Sequence, residues 1–225
     1  RYANLGRDFY AGIDRQLGRL CALADQETTI MVVSDHGARA MHGGFCINEW
    51  LIRRGYLKLV DDPPGPTPLG EARIDWTRTK AWAEGGYYGR VFFNVAGREP
   101  SGIVDPSDLG PLRAQLSAEL EALRDEDGAA VAARVRDPLS TYRQVRGFPP
   151  DLMVYFDDLR LRAIGSVGLE RLVVQDNDSG PDGCNHAWDG IYIEAGPDRG
   201  TSQPRALEEI ARTILQSFDI ATHGL

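Results

Sequence analysis

The chain has 225 residues, 42% hydrophobic and 26% charged, enough for one sizeable globular domain or a core with a smaller attached lobe. Lys and Arg number 25 against 33 Asp and Glu, and a net charge of -8 leaves no electrostatic footprint for nucleic acid or an anionic membrane surface. No apolar stretch reaches the roughly 18–20 residues that span a bilayer. Cys21, Cys46 and Cys184 lack CxxC spacing, which argues against a disulfide framework or a thiolate metal site and for a reducing, cytoplasmic compartment.

The first residue is Arg1 rather than Met and opens directly into a helical pattern, so the sequence is expected to be the C-terminal portion of a longer protein. Leu5, Phe9, Ile13, Leu17 and Leu20 recur every three or four residues, which predicts an amphipathic helix over residues 2–24. TTIMVVS, residues 28–34, is β-branched without polar alternation and predicts a strand buried on both faces of a parallel sheet. The run stops at Asp35-His36 and passes into a Gly-rich loop, MHGGF. INEWLIRRGYL then predicts a short helix ending near Gly55 in a left-handed cap.

DDPPGPTPLG, residues 61–70, holds four prolines and two glycines and predicts a loop or hinge. Beyond it the texture changes to short strands (RVFFNV, VAARVR, DLMVYF) around one helix marked by Leu112, Leu116, Leu120 and Leu123. The end returns to a strand, GIYIEAG, and a helix through ALEEIARTILQSF. The expectation is an α/β protein: residues 1–60 and 184–225 form the core, and residues 71–183 an inserted α+β lobe.

Ligands of open α/β sheets gather at the carboxyl ends of the strands, and Asp35-His36 lies at such an end. Carboxylate oxygen and imidazole nitrogen both bind Zn²⁺ and related ions, and Gly37 lets the backbone turn so that both side chains face one point. As an isolated dipeptide, Asp-His is more often a turn cap beside a hydrogen-bonded histidine, so its surroundings must decide. His186, in GCNHAWDGIYIEAG, is a candidate second ligand from a distant segment, with a plain loop histidine as its alternative.

The remaining candidates weigh less. His42 is expected to be solvated and His223 inert. Arg98 in NVAGREP is either an anchor for an anionic substrate or an exposed turn residue. Tyr87, Tyr88 and Arg90, after Gly85-Gly86, are candidate pocket residues, while Trp82 and Trp188 are expected in the core or between lobes. A Cys184–His186 nucleophile pair is set aside on the expectation that the two diverge from an extended segment. There is no GxSxG elbow, P-loop, GxGxxG after a strand, or HExxH helix.

Four stretches, VVSDHGARAMHGGFCINEWLIRRGYL, RVFFNVAGREPSGIV, PPDLMVYF and NHAWDGIYIEAGP, resemble in order the type I phosphodiesterase / nucleotide pyrophosphatase branch of the alkaline phosphatase superfamily. The S-D-H-G motif and the late H-x-x-x-G-I-Y segment are the specific ones. The resemblance implies an alkaline-phosphatase-like sheet flanked by helices, with two divalent metal ions about 4 Å apart, Zn²⁺ before Mn²⁺. Asp35 and His36 would hold the metal that activates the nucleophile, and His186 the other. It implies hydrolysis of a small phosphorylated or nucleotide-like substrate by a Thr or Ser nucleophile.

That nucleophile and an Asp-x-x-x-His pair belong upstream of the first helix. No Asp-x-x-x-His occurs between Arg1 and Asp35, and Thr28-Thr29 sit at the wrong end of their strand. The nucleophile is therefore expected upstream of this chain, and the fragment alone is expected to be inactive. Arg212 departs from the proline common at that place, which touches packing rather than chemistry. The alternatives are a phosphomutase or phosphotransferase of the same superfamily, and a non-catalytic binding module retaining the fold. A sulfatase is disfavoured because C-x-P/A-S-R is absent.

Overall fold

A computed structural model describes residues 4–175, 183–197 and 205–222. In chain order its first elements are α1 (Leu5–Cys21), β1 (Ile30–Val33), β2 (Gly37–Ala40), β3 (Gly43–Cys46), α2 (Ile47–Arg53), β4 (Ala81–Glu84), β5 (Gly89–Phe93) and α3 (Leu109–Glu121). They continue with β6 (Ala133–Arg136), α4 (Pro138–Thr141), β7 (Leu152–Phe156), β8 (Leu161–Ile164), β9 (Val173–Val174), β10 (Cys184–Ala187), β11 (Tyr192–Ala195) and α5 (Leu207–Ser217). The chain divides into two units, Arg1–Gly37 with Trp188–Leu225, and Ala38–Ala187. The sequence expectation drew the inserted lobe at residues 71–183.

In the first unit, β1 pairs with β11 in antiparallel register, from Ile30 opposite Ala195 to Val33 opposite Tyr192. This corrects the expected parallel strand buried on both faces, since Val32 and Val33 are 42% and 38% exposed. An unbroken β-branched run reports that both faces of a strand are apolar; it carries no information on the direction of the neighbouring strand. The pairing continues past β1, where the Ser34 N–H donates to the Ile191 carbonyl at 3.0 Å and the Ile191 N–H donates to Ser34 Oγ at 2.7 Å. Helix α1 follows the predicted periodicity, yet Leu5, Phe9, Ile13, Leu17 and Leu20 all remain substantially exposed.

The second unit is built on a seven-stranded mixed sheet in the order β4-β5-β7-β8-β3-β9, with β6 also pairing β7. Strands β3 and β8 run parallel, and the other pairings are antiparallel. A separate two-stranded sheet joins β2 to β10. The core is continuous from Phe45, Ile47 and Leu51 through Val91, Phe93, Val154 and Phe156 to Leu116 and Leu120 of α3. Phe45 stacks on Phe156 with ring centroids 4.6 Å apart. A mixed α/β architecture with a central mixed sheet flanked by helices is thus what the chain adopts.

Within the predicted Gly-rich loop MHGGF, Gly43, Gly44 and Phe45 instead belong to β3, which is fully buried at the parallel step of this sheet. Its glycines serve close packing: a Cβ on Gly43 (φ +133°) would lie 2.2 Å from the Val174 carbonyl oxygen, and one on Gly44 2.5 Å from the Ile164 side chain. Asn48 of α2, fully buried, donates to the carbonyls of Ala83 and Gly165 at 2.8 and 2.6 Å and accepts from the Ala83 N–H at 2.9 Å. It ties the helix to β4 and to the end of β8. Helix α2 ends as its sequence predicts, with Gly55 at φ +80° after Arg54.

Candidate functional site

Strand β1 ends at Val33, and the Ser34–Ile191 pair of hydrogen bonds anchors the backbone from which Asp35 and His36 project. Gly190 makes this possible, because a Cβ there would meet Ser34 Oγ at 2.6 Å and the Ser34 carbonyl oxygen at 2.8 Å. VVSDHG and WDGIYI, distant in sequence, are therefore direct neighbours in the first unit, with Ser34 in a structural role.

His36 is part-buried, and its Nδ1 lies 2.8 Å from the Gly37 carbonyl oxygen. A carbonyl can only accept, so Nδ1 carries the proton, and in the neutral imidazole Nε2 carries the lone pair. Nε2 lies 3.6 Å from Asp35 Oδ2. Two ligands held 2.0–2.2 Å from one ion at a tetrahedral angle lie about 3.3–3.6 Å apart, so the spacing fits two donors of one coordination shell. A histidine whose other nitrogen donates to a backbone carbonyl is the arrangement that sets a ligating imidazole in the correct tautomer. Asp35 is exposed, its side chain at 78%, and open to a bound ion.

His186 belongs to the second unit and lies on strand β10 rather than in a loop. Its N–H donates to Asn185 Oδ1 at 2.9 Å, and the buried Asn185 in turn donates to the Tyr87 carbonyl at 3.3 Å. The imidazole packs on the Tyr87 ring, centroids 3.7 Å apart at 60°. On Tyr87 also sits the buried Arg162, its guanidinium carbon 5.3 Å from the ring centroid. These partners, Asn185 and Arg162, carry no motif, but the double glycine before Tyr87 was a signal of close backbone approach.

Of the other candidates, Arg98 is an ion-paired residue of the fold rather than a bare turn residue. It donates to both carboxylate oxygens of buried Asp151 at 3.0 and 2.6 Å, to the Phe93 carbonyl at 2.8 Å and to Glu99 at 2.8 Å. Arg90 donates to the Gly85 carbonyl at 3.2 Å, and Tyr88 lies against Tyr155 with centroids 5.1 Å apart. His42 is exposed, its N–H donating to the Arg160 carbonyl at 2.7 Å. Trp82 packs on the core and stacks on Phe92, whereas Trp188 is 46% exposed. Cys184 and His186 are alternate residues of β10 and so share one face, which corrects the expectation that they diverge. His223 lies outside the described residues.

A family model described as Type I phosphodiesterase / nucleotide pyrophosphatase matches residues 5–182, more than three quarters of the chain. The chain belongs to this family. The match includes Asp35 and His36 and ends four residues before His186. No curated protein and no solved structure matches the chain. Members of this family hydrolyse phosphoesters and are generally metal-dependent. Among the described residues no three His, Cys, Asp or Glu side chains form a group that could hold a metal ion. No described helix is long and apolar enough to cross a membrane.

Proposed function

We propose that the protein is a metal-dependent phosphoester hydrolase with a two-metal site, in which Asp35 and His36 hold one ion and His186 the other. Zn²⁺ is the first candidate and Mn²⁺ the second, and a Thr or Ser upstream of Arg1 is the nucleophile. The observation that carries this reading is the oriented donor pair at the end of β1, with His36 Nδ1 committed to the Gly37 carbonyl and Nε2 3.6 Å from Asp35.

When bound, the two ions supply Lewis-acid stabilisation of charge on the phosphoryl oxygens and a lowered pKa for the attacking hydroxyl. This chain's contribution is to hold and orient. The Asp35 carboxylate provides negative charge, and the Gly37 carbonyl keeps the His36 ring in the Nδ1–H tautomer. Ser34 and Ile191 fix the backbone beneath both side chains. The upstream hydroxyl oxygen forms a bond to phosphorus as the bond to the leaving group breaks, and water then cleaves the phosphoenzyme. The substrate class is a small phosphorylated or nucleotide-like ester.

Assays of the full-length protein with p-nitrophenyl phosphate and bis-p-nitrophenyl phosphate, in Zn²⁺ or Mn²⁺, test the reading. Asp35→Ala, His36→Ala and His186→Ala are each expected to lower kcat/KM by at least ~100-fold, since even outer partners of a metal ligand are worth 10–100-fold. Retention of wild-type turnover by Asp35→Ala and His186→Ala sinks the assignment.

A further inference from the structure

Gly85 and Gly86 let the chain cross directly over the end of β8. A Cβ on Gly85 would lie 2.6 Å from the Gly165 nitrogen and 2.7 Å from the Ala163 carbonyl oxygen, and Gly86 has φ +135°. Gly86 and Ala163 exchange two backbone hydrogen bonds, 2.9 and 3.0 Å, which lock the crossing in place. The next residue, Tyr87, is set by this crossing. One contact of its ring is the buried Arg162 guanidinium, at cation–π range, and another is the imidazole of His186 at 3.7 Å. Its own carbonyl accepts from Asn185, which holds the His186 N–H. Backbone and ring of His186 are thus both held from one loop.

We infer that Tyr87 is a positioning residue for His186: its ring, braced by Arg162, fixes the imidazole in the orientation in which it holds the metal. The inference rests on the reading of His186 as a metal ligand. It assigns the GGYYGR stretch a part in the site through the ring, inclined at 60° to the imidazole, rather than through the phenol oxygen. A ring packed against the imidazole at 60° restricts its rotation about the side-chain bonds, so less freedom remains to be lost when the ion binds. Tyr87 itself is 45% exposed and outside the buried core, so its replacement leaves the sheet intact.

The experiment is isothermal titration of the full-length, metal-stripped protein with Zn²⁺, comparing wild type with Tyr87→Phe, Tyr87→Leu and His186→Ala. Proton NMR of the metal-free forms follows the His186 ring. Tyr87→Leu is expected to weaken Zn²⁺ binding by 10–100-fold, as for other outer-sphere partners. Tyr87→Phe, which keeps the ring, is expected to stay within about twofold of wild type. The His186 ring protons are expected to show an aromatic ring-current displacement in wild type and Tyr87→Phe that is lost in Tyr87→Leu.

If His186→Ala weakens binding and Tyr87→Leu does not, the positioning role is overturned while the ligand assignment stands. If His186→Ala leaves Zn²⁺ affinity unchanged, both fall. The ring-current measurement on wild type needs no folded variant, and its absence overturns the contact directly.

Discussion

Arg98 and Asp151 show how a residue with catalytic credentials can be absorbed by structure. Asp151 is only 5% exposed and accepts from the Phe93 N–H at 2.8 Å as well as from both Arg98 terminal nitrogens, and Arg113 stands 3.6 Å away. The pairing raises the Arg98 pKa above its ordinary value, chiefly through the hydrogen bonds to Asp151. Arg98→Ala would leave a buried carboxylate with one main-chain donor and the Arg113 guanidinium at 3.6 Å. The expected cost is roughly 2–3 kcal/mol, between the surface and buried limits for ion pairs, read as a lowered urea midpoint. Arg98→Lys is expected to recover little of it, because an ammonium cannot reproduce the two-pronged contact.

Tyr56 predicts an alkaline limit. Burial, then the hydrogen bond to Glu119 at 3.0 Å, pushes its phenol up to about 12 from 10.0. The fold therefore holds the proton more tightly than the unfolded chain does. Its contribution to stability is fully present below pH 10 and is lost as pH rises from 10 towards 12. The urea midpoint is expected to fall across that window and to fall less in Tyr56→Phe, with Tyr155, also raised to about 12, sustaining the remainder. A midpoint that is flat to pH 12 would contradict this.

Among the elements, glycines at strand contacts do more than loosen the chain. Gly43 and Gly44 admit β9 and the Ile164 side chain against β3, and Gly190 admits Ser34 against the segment leading into β11. Gly190→Ala is expected to cost about 1–3 kcal/mol, the usual penalty of overpacking, because the new methyl meets backbone as well as the Ser34 hydroxyl. Ser34→Ala, which only deletes the acceptor for the Ile191 N–H, is expected to cost about 1 kcal/mol. Thermal unfolding of both variants checks the order. Zn²⁺ titration of Gly190→Ala checks whether Asp35 and His36 shift with the strand end.

Taken as a molecule, the two units differ in how they bury apolar surface. The second holds Phe45, Phe93, Phe156, Leu116 and Leu120 at zero exposure, whereas α1 and α5 of the first contain no fully buried residue. Local opening is cheapest where few apolar contacts close over the hydrogen bonds. Amide hydrogen exchange of this chain is therefore expected to protect β3, β5, β7 and β8 most, and α1 and α5 at least about 100-fold less, corresponding to a gap of roughly 3 kcal/mol in opening free energy. Uniform protection across both units would refute it.

Periodicity was enough to locate α1, α2, α3, α5, β1, β5, β6, β7 and β11, because a helical stripe or a short β-branched run must find an apolar face whatever its neighbours are. The strand-end position of Asp35-His36 was legible for the same reason, since an apolar run must stop where charge begins. Other features depended on contacts that no local pattern encodes. Gly43–Cys46 form an inner strand because Val174 and Ile164 approach its glycines, and β1 is antiparallel because β11 reaches it from far along the chain in register, Val33 to Tyr192. Arg98 belongs to structure because Asp151 is buried beside it, and His186 is held because a double glycine delivers Tyr87 to its ring. A side chain's type limits the chemistry open to it; the partners that the fold brings within hydrogen-bonding or van der Waals distance select which of those possibilities it performs.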